Sequence, residues 1–67
     1  MEIILNNRKE KLDFEKITVQ ELLDIKKFTF KMIIVKVNGT LVEKSDYKNK
    51  IIKEGDKVDV IHLMSGG

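Results

Sequence analysis

The chain has 67 residues, no Cys, no Pro and one His, with 13 basic against 11 acidic side chains and a net charge of +2. That length makes one domain the ceiling and leaves little room for a self-contained enzyme pocket. Without Cys there are no disulfides, thiolate metal sites or thiol catalysis, and one imidazole supplies neither a metal pair nor a relay. The charges alternate in sign, as in Arg8-Lys9-Glu10-Lys11 and Lys53-Glu54-Gly55-Asp56-Lys57. That is a solvated mixed-charge surface rather than the one-signed, Arg- and aromatic-rich patch of a nucleic-acid binder. A hydrophobic content of 42% is enough for a core. The longest apolar run, Met32-Ile33-Ile34-Val35, is far short of the ~20 residues of a membrane span, and a cytoplasmic chain without membrane contact is expected.

The predicted elements follow in chain order. Met1–Leu5 is an apolar, β-branched strand, and Asn6-Asn7 marks a turn. Arg8–Phe14, with Leu12 and Phe14 at spacing two, reads as the half-buried return arm of a hairpin. Thr18-Val19-Gln20-Glu21 has capping-box spacing, so a short helix starts at Val19 and runs to about Lys27, with Val19, Leu22 and Leu23 on one face. Phe28–Lys31 closes the helix or opens the next strand. Met32–Val37 is the strongest strand, and Asn38-Gly39 gives a type I′ turn to a short return strand, Thr40–Val42. Glu43–Ile52 reads as an irregular connection with one helical turn around Ser45–Tyr47, Tyr47 fastening it to the core. Glu54-Gly55-Asp56 is a turn, Lys57–Leu63 the last strand and Met64-Ser65-Gly66-Gly67 a tail.

Two hairpins flank one helix that cannot bury its apolar face alone. The economical packing is α+β: a mixed four- to five-stranded sheet with the helix across one face and the first and last strands adjacent at its centre. This is the β-grasp, or ubiquitin-like, architecture, with residues 1–63 as the domain and 64–67 as a flexible diglycine tail. Strand parity assigns Met1, Ile3 and Leu5, Ile33, Val35 and Val37, and Val58 and Val60 to the helix-facing core. Ile4, Ile34, Ile61 and Leu63 then fall on the open face, where adjacent aliphatics imply a docking surface. Met64 stands between core edge and interface. His62, the single histidine, falls on the core side near the sheet edge, half exposed, in a structural or incidental role. Asp56 reads as a turn residue, and Asp59 as a solvent-facing strand residue.

Gly66-Gly67 follows directly on the predicted last strand. With this tail, the opening strand Met1–Asn6, Thr18-Val19-Gln20-Glu21-Leu22-Leu23, Val37-Asn38-Gly39 with Leu41-Val42, Tyr47 and Gly55-Asp56-Lys57-Val58-Asp59-Val60, the whole chain resembles the ThiS sulfur carrier proteins of thiamin biosynthesis. It departs from their usual pattern at Glu43-Lys44-Ser45, where Pro or Arg is frequent, and at Met64-Ser65 before the diglycine. The resemblance implies a carrier rather than an enzyme. A ThiF-like adenylyltransferase, using ATP and Mg²⁺ bound on its own side, activates the Gly67 carboxylate. A sulfur donor system converts it to a thiocarboxylate, and a ThiG-like thiazole synthase takes the sulfur. The carrier itself binds no cofactor or metal and is expected to be a monomer when free. Ser65 and Gly66 thread the partner's channel, since Gly66 adopts φ angles closed to other residues and Gly67 has no Cβ to obstruct attack. Ile61, Leu63 and Met64, with Ile4 and Ile34 behind, form the docking surface.

Three alternatives stay open. Ser65-Gly66-Gly67 also suits the small subunit of molybdopterin synthase, MoaD. A small basic β-grasp domain could bind RNA, as TGS-type modules resemble this fold and share Gly-Asp-x-Val. The third is a ubiquitin-like interaction domain that is never activated.

Overall fold

The computed structural model describes residues 1–28 and 32–63. Strands β1 (Glu2–Leu5), β2 (Arg8–Lys11), β4 (Ile33–Val37), β5 (Thr40–Val42) and β7 (Lys57–His62) form one five-stranded sheet in the order β2-β1-β7-β4-β5. Two shorter strands, β3 (Lys16–Thr18) and β6 (Ile51–Lys53), pair with each other. Helix α1 (Val19–Ile25) is the single α-helix among the described residues. The β-grasp is as expected. β7 lies at the centre of the sheet, parallel to β1 and antiparallel to β4.

Local chemistry starts each element. Asn6 and Asn7 take φ of 50° and 66°, and Asn38 and Gly39 take 52° and 82°. Both two-residue loops therefore carry the left-handed pair of a type I′ turn, whose twist matches the flanking strands. At the helix start, the Thr18 hydroxyl accepts from the Glu21 backbone N–H at 3.1 Å, and the Glu21 carboxylate accepts from the Thr18 N–H at 2.9 Å. Both halves of the capping box are thus made. The helix has only seven residues. It persists because Val19, Leu22 and Leu23 are buried against Ile3, Leu5, Val35, Val37, Val58 and Val60 from the sheet.

Several details differ from the sequence reading. The second strand stops at Lys11 rather than Phe14, because the chain bends back over the amino terminus. The Met1 ammonium donates to the carbonyls of Leu12 and Phe14 at 2.6 and 2.8 Å, leaving Leu12 half-buried and Phe14 exposed. The helix ends at Ile25, since Lys27 turns left-handed (φ 57°) and the Phe28 N–H donates to the Leu23 carbonyl at 2.8 Å. This is a Schellman stop at a position where glycine is usual. β3 and β6 were expected as parts of connections. Their pairing buries Ile17 against Ile52 and covers the helix start. The helical turn is a 3₁₀ turn at Lys44–Asp46, one residue earlier than expected. Tyr47 is buried as expected, and its carbonyl accepts from the Gln20 N–H at 2.8 Å. The last strand ends at His62, which is exposed rather than half-buried.

Asp56 is more than a turn residue. It is only 7% exposed, and its carboxylate accepts from Asn38 Nδ2 at 3.1 Å and from the Lys53 N–H at 3.0 Å. Asn38 Oδ1 in turn accepts from the Lys57 N–H at 2.9 Å. The two turns at this end of the sheet are thus tied together. Asp56→Ala strands the amide of Asn38 and the N–H of Lys53, and should lower stability by about 1–3 kcal/mol in urea unfolding. Burial raises the Tyr47 phenol above its ordinary value of 10.0. The folded state therefore keeps this proton where the unfolded state releases it. Its stabilising contribution is intact below about pH 10 and is lost as pH rises further. In urea titrations across that range, Tyr47→Phe should show a shallower alkaline loss of stability than the wild type.

Candidate functional site

Because β7 is central, its alternation assigns both faces of the sheet. Val58 and Val60 point to the helix and are buried, whereas Lys57, Asp59 and Ile61 point to the open face. Residues directly opposite one another share a face. Ile34 stands opposite Ile61, and Lys36 opposite Asp59. The Leu63 N–H donates to the Met32 carbonyl at 2.9 Å, which extends the ladder by one pair beyond β7. Across the hairpin, Leu41 stands opposite Lys36 and diagonal to Ile34.

The open face thus collects an aliphatic patch at the Leu63 end of the central ladder. Met32 is 54% exposed, Leu41 57%, Ile61 43% and Leu63 38%, with Ile34 half-buried among them. Adjacent exposed aliphatics of this kind make the patch a candidate docking surface. Of the residues expected to dock, Ile34, Ile61 and Leu63 come together here. Ile4 shares the face but stands opposite Lys57, about 13 Å along β7 from Ile61 at ~3.3 Å per residue. Met64, Ser65, Gly66 and Gly67 lie outside the described residues.

Met32 and Leu41 were not foreseen. Met32 could have been found by parity, since it alternates in step with Ile34. Leu41 needed the hairpin register that Asn38-Gly39 imposes. Among the described residues this face has no aromatic side chain, and so no platform on which bases could stack.

Asn6 shapes the edge beside the patch. Its backbone N–H donates to the Val58 carbonyl at 2.9 Å, and its side-chain oxygen accepts from the Val60 N–H at 2.8 Å. The side chain thus takes the place of the next strand residue and ends the parallel ladder. On the helix side, a groove of about 490 Å³ runs between Leu23, Phe28, Ile33 and Tyr47, with Asp24, Glu43 and Lys44 among the residues lining it. It offers carboxylates but no serine or histidine to act as a nucleophile–base pair. No group of three or more potential metal ligands occurs among the described residues. No helix among them is long and apolar enough to cross a membrane.

The ThiS family model matches residues 2–67. Among solved structures, the crystal structure of the thiamine biosynthesis protein ThiS from Geobacter metallireducens is similar over 100% of both chains, at 29% identity and a TM-score of 0.90. The NMR solution structure of a thiamine biosynthesis protein from the same organism is similar at 29% identity and a TM-score of 0.82, over 100% of this chain and 88% of that one. No curated protein matches by sequence. With the family match running from the first strand through Gly66-Gly67 on a ubiquitin-like β-grasp framework, the chain belongs to the ThiS family of small sulfur carrier proteins.

Proposed function

We propose that the chain carries sulfur on the carboxyl group of Gly67 for thiazole formation in thiamin biosynthesis. The observation that carries this reading is that Leu63, which extends the central ladder by one pair, lies in the aliphatic patch, and the family match runs on from it through both glycines. A partner that grips Met32, Ile34, Ile61 and Leu63 holds the root of the tail at a fixed distance from its own active site. Four extended residues beyond Leu63 reach about 13 Å, enough to enter a cleft.

A carboxylate is a poor acyl donor because oxide would have to leave. Attack of a Gly67 carboxylate oxygen on the α-phosphorus of ATP expels pyrophosphate and forms an acyl adenylate. Sulfide then adds to the acyl carbon and AMP leaves with the bonding pair, giving the thiocarboxylate; a persulfide gives an acyl disulfide instead, from which a thiol of the sulfur donor system releases the thiocarboxylate as it forms a disulfide with the other sulfur's carrier. ATP and Mg²⁺ belong to a ThiF-like adenylyltransferase, and a sulfur donor system and a ThiG-like thiazole synthase complete the sequence. The carrier contributes a reactive end and a docking face, with no catalytic side chain. Acyl adenylates hydrolyse readily, so the terminus reacts in a water-excluding site. The missing side chain at Gly67 leaves the carbonyl open to attack, and Gly66 lets the backbone pass a constriction.

Ser65-Gly66-Gly67 favours a second reading, a MoaD-like carrier for molybdopterin. Co-purification with a thiazole synthase supports the first reading, and with a molybdopterin-synthase large subunit the second.

Gly67→Ala, or one residue added after Gly67, should lower thiocarboxylate formation about a hundredfold with the cognate adenylyltransferase, ATP and a sulfur donor. Intact-protein mass spectrometry reads this as loss of the gain that accompanies sulfur replacing oxygen. Full conversion of either variant would refute the carrier reading. Ile61→Glu places a charge in the patch at an exposed position. It should raise the KM for the carrier about tenfold while thermal unfolding stays near wild type.

A further inference from the structure

The Asn38-Gly39 turn holds reactive chemistry as well as geometry. Of the four asparagines in the chain, Asn6, Asn7, Asn38 and Asn49, only Asn38 precedes a glycine. An asparagine side-chain carbonyl can be attacked by the backbone nitrogen of the residue that follows it, and glycine presents no Cβ to hinder that attack. Both turn residues are exposed, and the space beside Gly39 is open: a Cβ placed there would meet nothing within 4 Å. Water and base therefore reach the turn.

Within the fold, the Asn38 amide is held at both of its polar atoms. Nδ2 donates to Asp56 Oδ1 at 3.1 Å, and Oδ1 accepts from the Lys57 N–H at 2.9 Å. The Asn38 N–H donates to the Lys57 carbonyl at 2.6 Å, so backbone and side chain grip the same residue. Asp56 is itself fixed, because its other oxygen accepts from the Lys53 N–H at 3.0 Å. β7 lies on one side of β4, and β5, to which Gly39 leads, lies on the other. The bonds thus draw the amide toward β7 while the chain turns the opposite way.

We propose that Asn38 is a deamidation site held shut by this clamp. When the amide leaves Asp56 and Lys57, it cyclises on Gly39 and becomes an aspartyl or isoaspartyl residue. Hydroxide and water are the only co-reactants. Hydroxide takes the Gly39 N–H proton, and the nitrogen adds to Asn38 Cγ. The Cγ–Nδ2 bond breaks, and ammonia leaves after taking a proton from water. Water then opens the cyclic imide: cleavage at Cγ gives Asp, and cleavage at the Asn38 backbone carbonyl gives isoaspartate. This chemistry is independent of sulfur carriage.

The change is one-way. An aspartate has no N–H to offer Asp56, so two carboxylates meet where a hydrogen bond stood. The isoaspartyl linkage adds a methylene to the main chain of a two-residue loop that sets the Lys36–Leu41 register. Leu41 of the aliphatic patch is displaced with it.

The test incubates the full chain in warm, mildly alkaline buffer. Peptide mapping by mass spectrometry reads the gain that accompanies OH replacing NH₂ at each asparagine, and isoaspartyl methyltransferase labelling reads the isomer. The rate follows the open population, so folded wild type should react at least about tenfold more slowly than the urea-unfolded chain. Asp56→Ala should react about tenfold faster than wild type held in enough urea to match its unfolded fraction. Asp56→Asn keeps an acceptor for one donor and should fall between; it carries the comparison if Asp56→Ala does not fold. Asn38→Asp should raise the unfolding constant at least about tenfold, and more than Asn38→Ala does.

Equal rates in Asp56→Ala and urea-matched wild type would overturn the clamp, because global unfolding would then set the rate. Folded wild type reacting as fast as the unfolded chain would overturn it as well. An unfolded chain modified at Asn6, Asn7 or Asn49 ahead of Asn38 would refute the site itself. An Asn38→Asp chain as stable as wild type would show that the change is not one-way.

Discussion

Hydrogen bonding on both sides of β7 is the constraint from which the rest of the molecule follows. β1 joins it in parallel on one side and β4 antiparallel on the other, so its alternation cannot shift without exchanging the two faces. Val58 and Val60 are thereby committed to the core and Lys57, Asp59 and Ile61 to the open face. The same pairing places Ile34 against Ile61 and brings Leu63 beside Met32. The buried core and the aliphatic patch of the open face are consequences of one register.

The polar interactions that hold this register lie at the ends of the strands. Asn6 ends the β1–β7 ladder with its own side chain, and Asp56 with Asn38 ties together the two turns beside Lys57. The Asp56 carboxylate is buried, and the Asn38–Asp56 and Asn6–Val60 hydrogen bonds are partly withdrawn from water, where hydrogen-bonded partners matter most. A chain of this size uses its buried polar groups to set geometry; in the proposed reading the chemistry takes place on the Gly67 carboxyl in a partner's active site, and sulfur carried there needs no thiol in the carrier.

Much of the framework was legible because its signals are local. Thr18-x-x-Glu21 marked the helix start to the residue, and Asn38-Gly39 marked the hairpin together with its return strand. What could not be read required contacts distant in sequence. β3 and β6 have three residues each and satisfy only one another, so neither carries a strand pattern of useful length. The helix end was misplaced because Lys27 adopts a conformation normally announced by glycine. The second strand was overextended because nothing in Leu12-Asp13-Phe14 reveals that two of its carbonyls turn to the Met1 ammonium.

For the site, the sequence by itself determined the diglycine, the parity that puts Ile34, Ile61 and Leu63 on the open face, and the family. Those depend on residue identity and on period-two alternation, which a strand obeys wherever it lies. Tertiary structure alone decided which exposed residues are neighbours. It joined Met32 and Leu41 to the aliphatic patch, because cross-strand register depends on how strands dock. It moved Ile4 away from that patch to lie between Lys9 and Lys57, because β1 runs parallel to β7 and meets it at the opposite end from the tail.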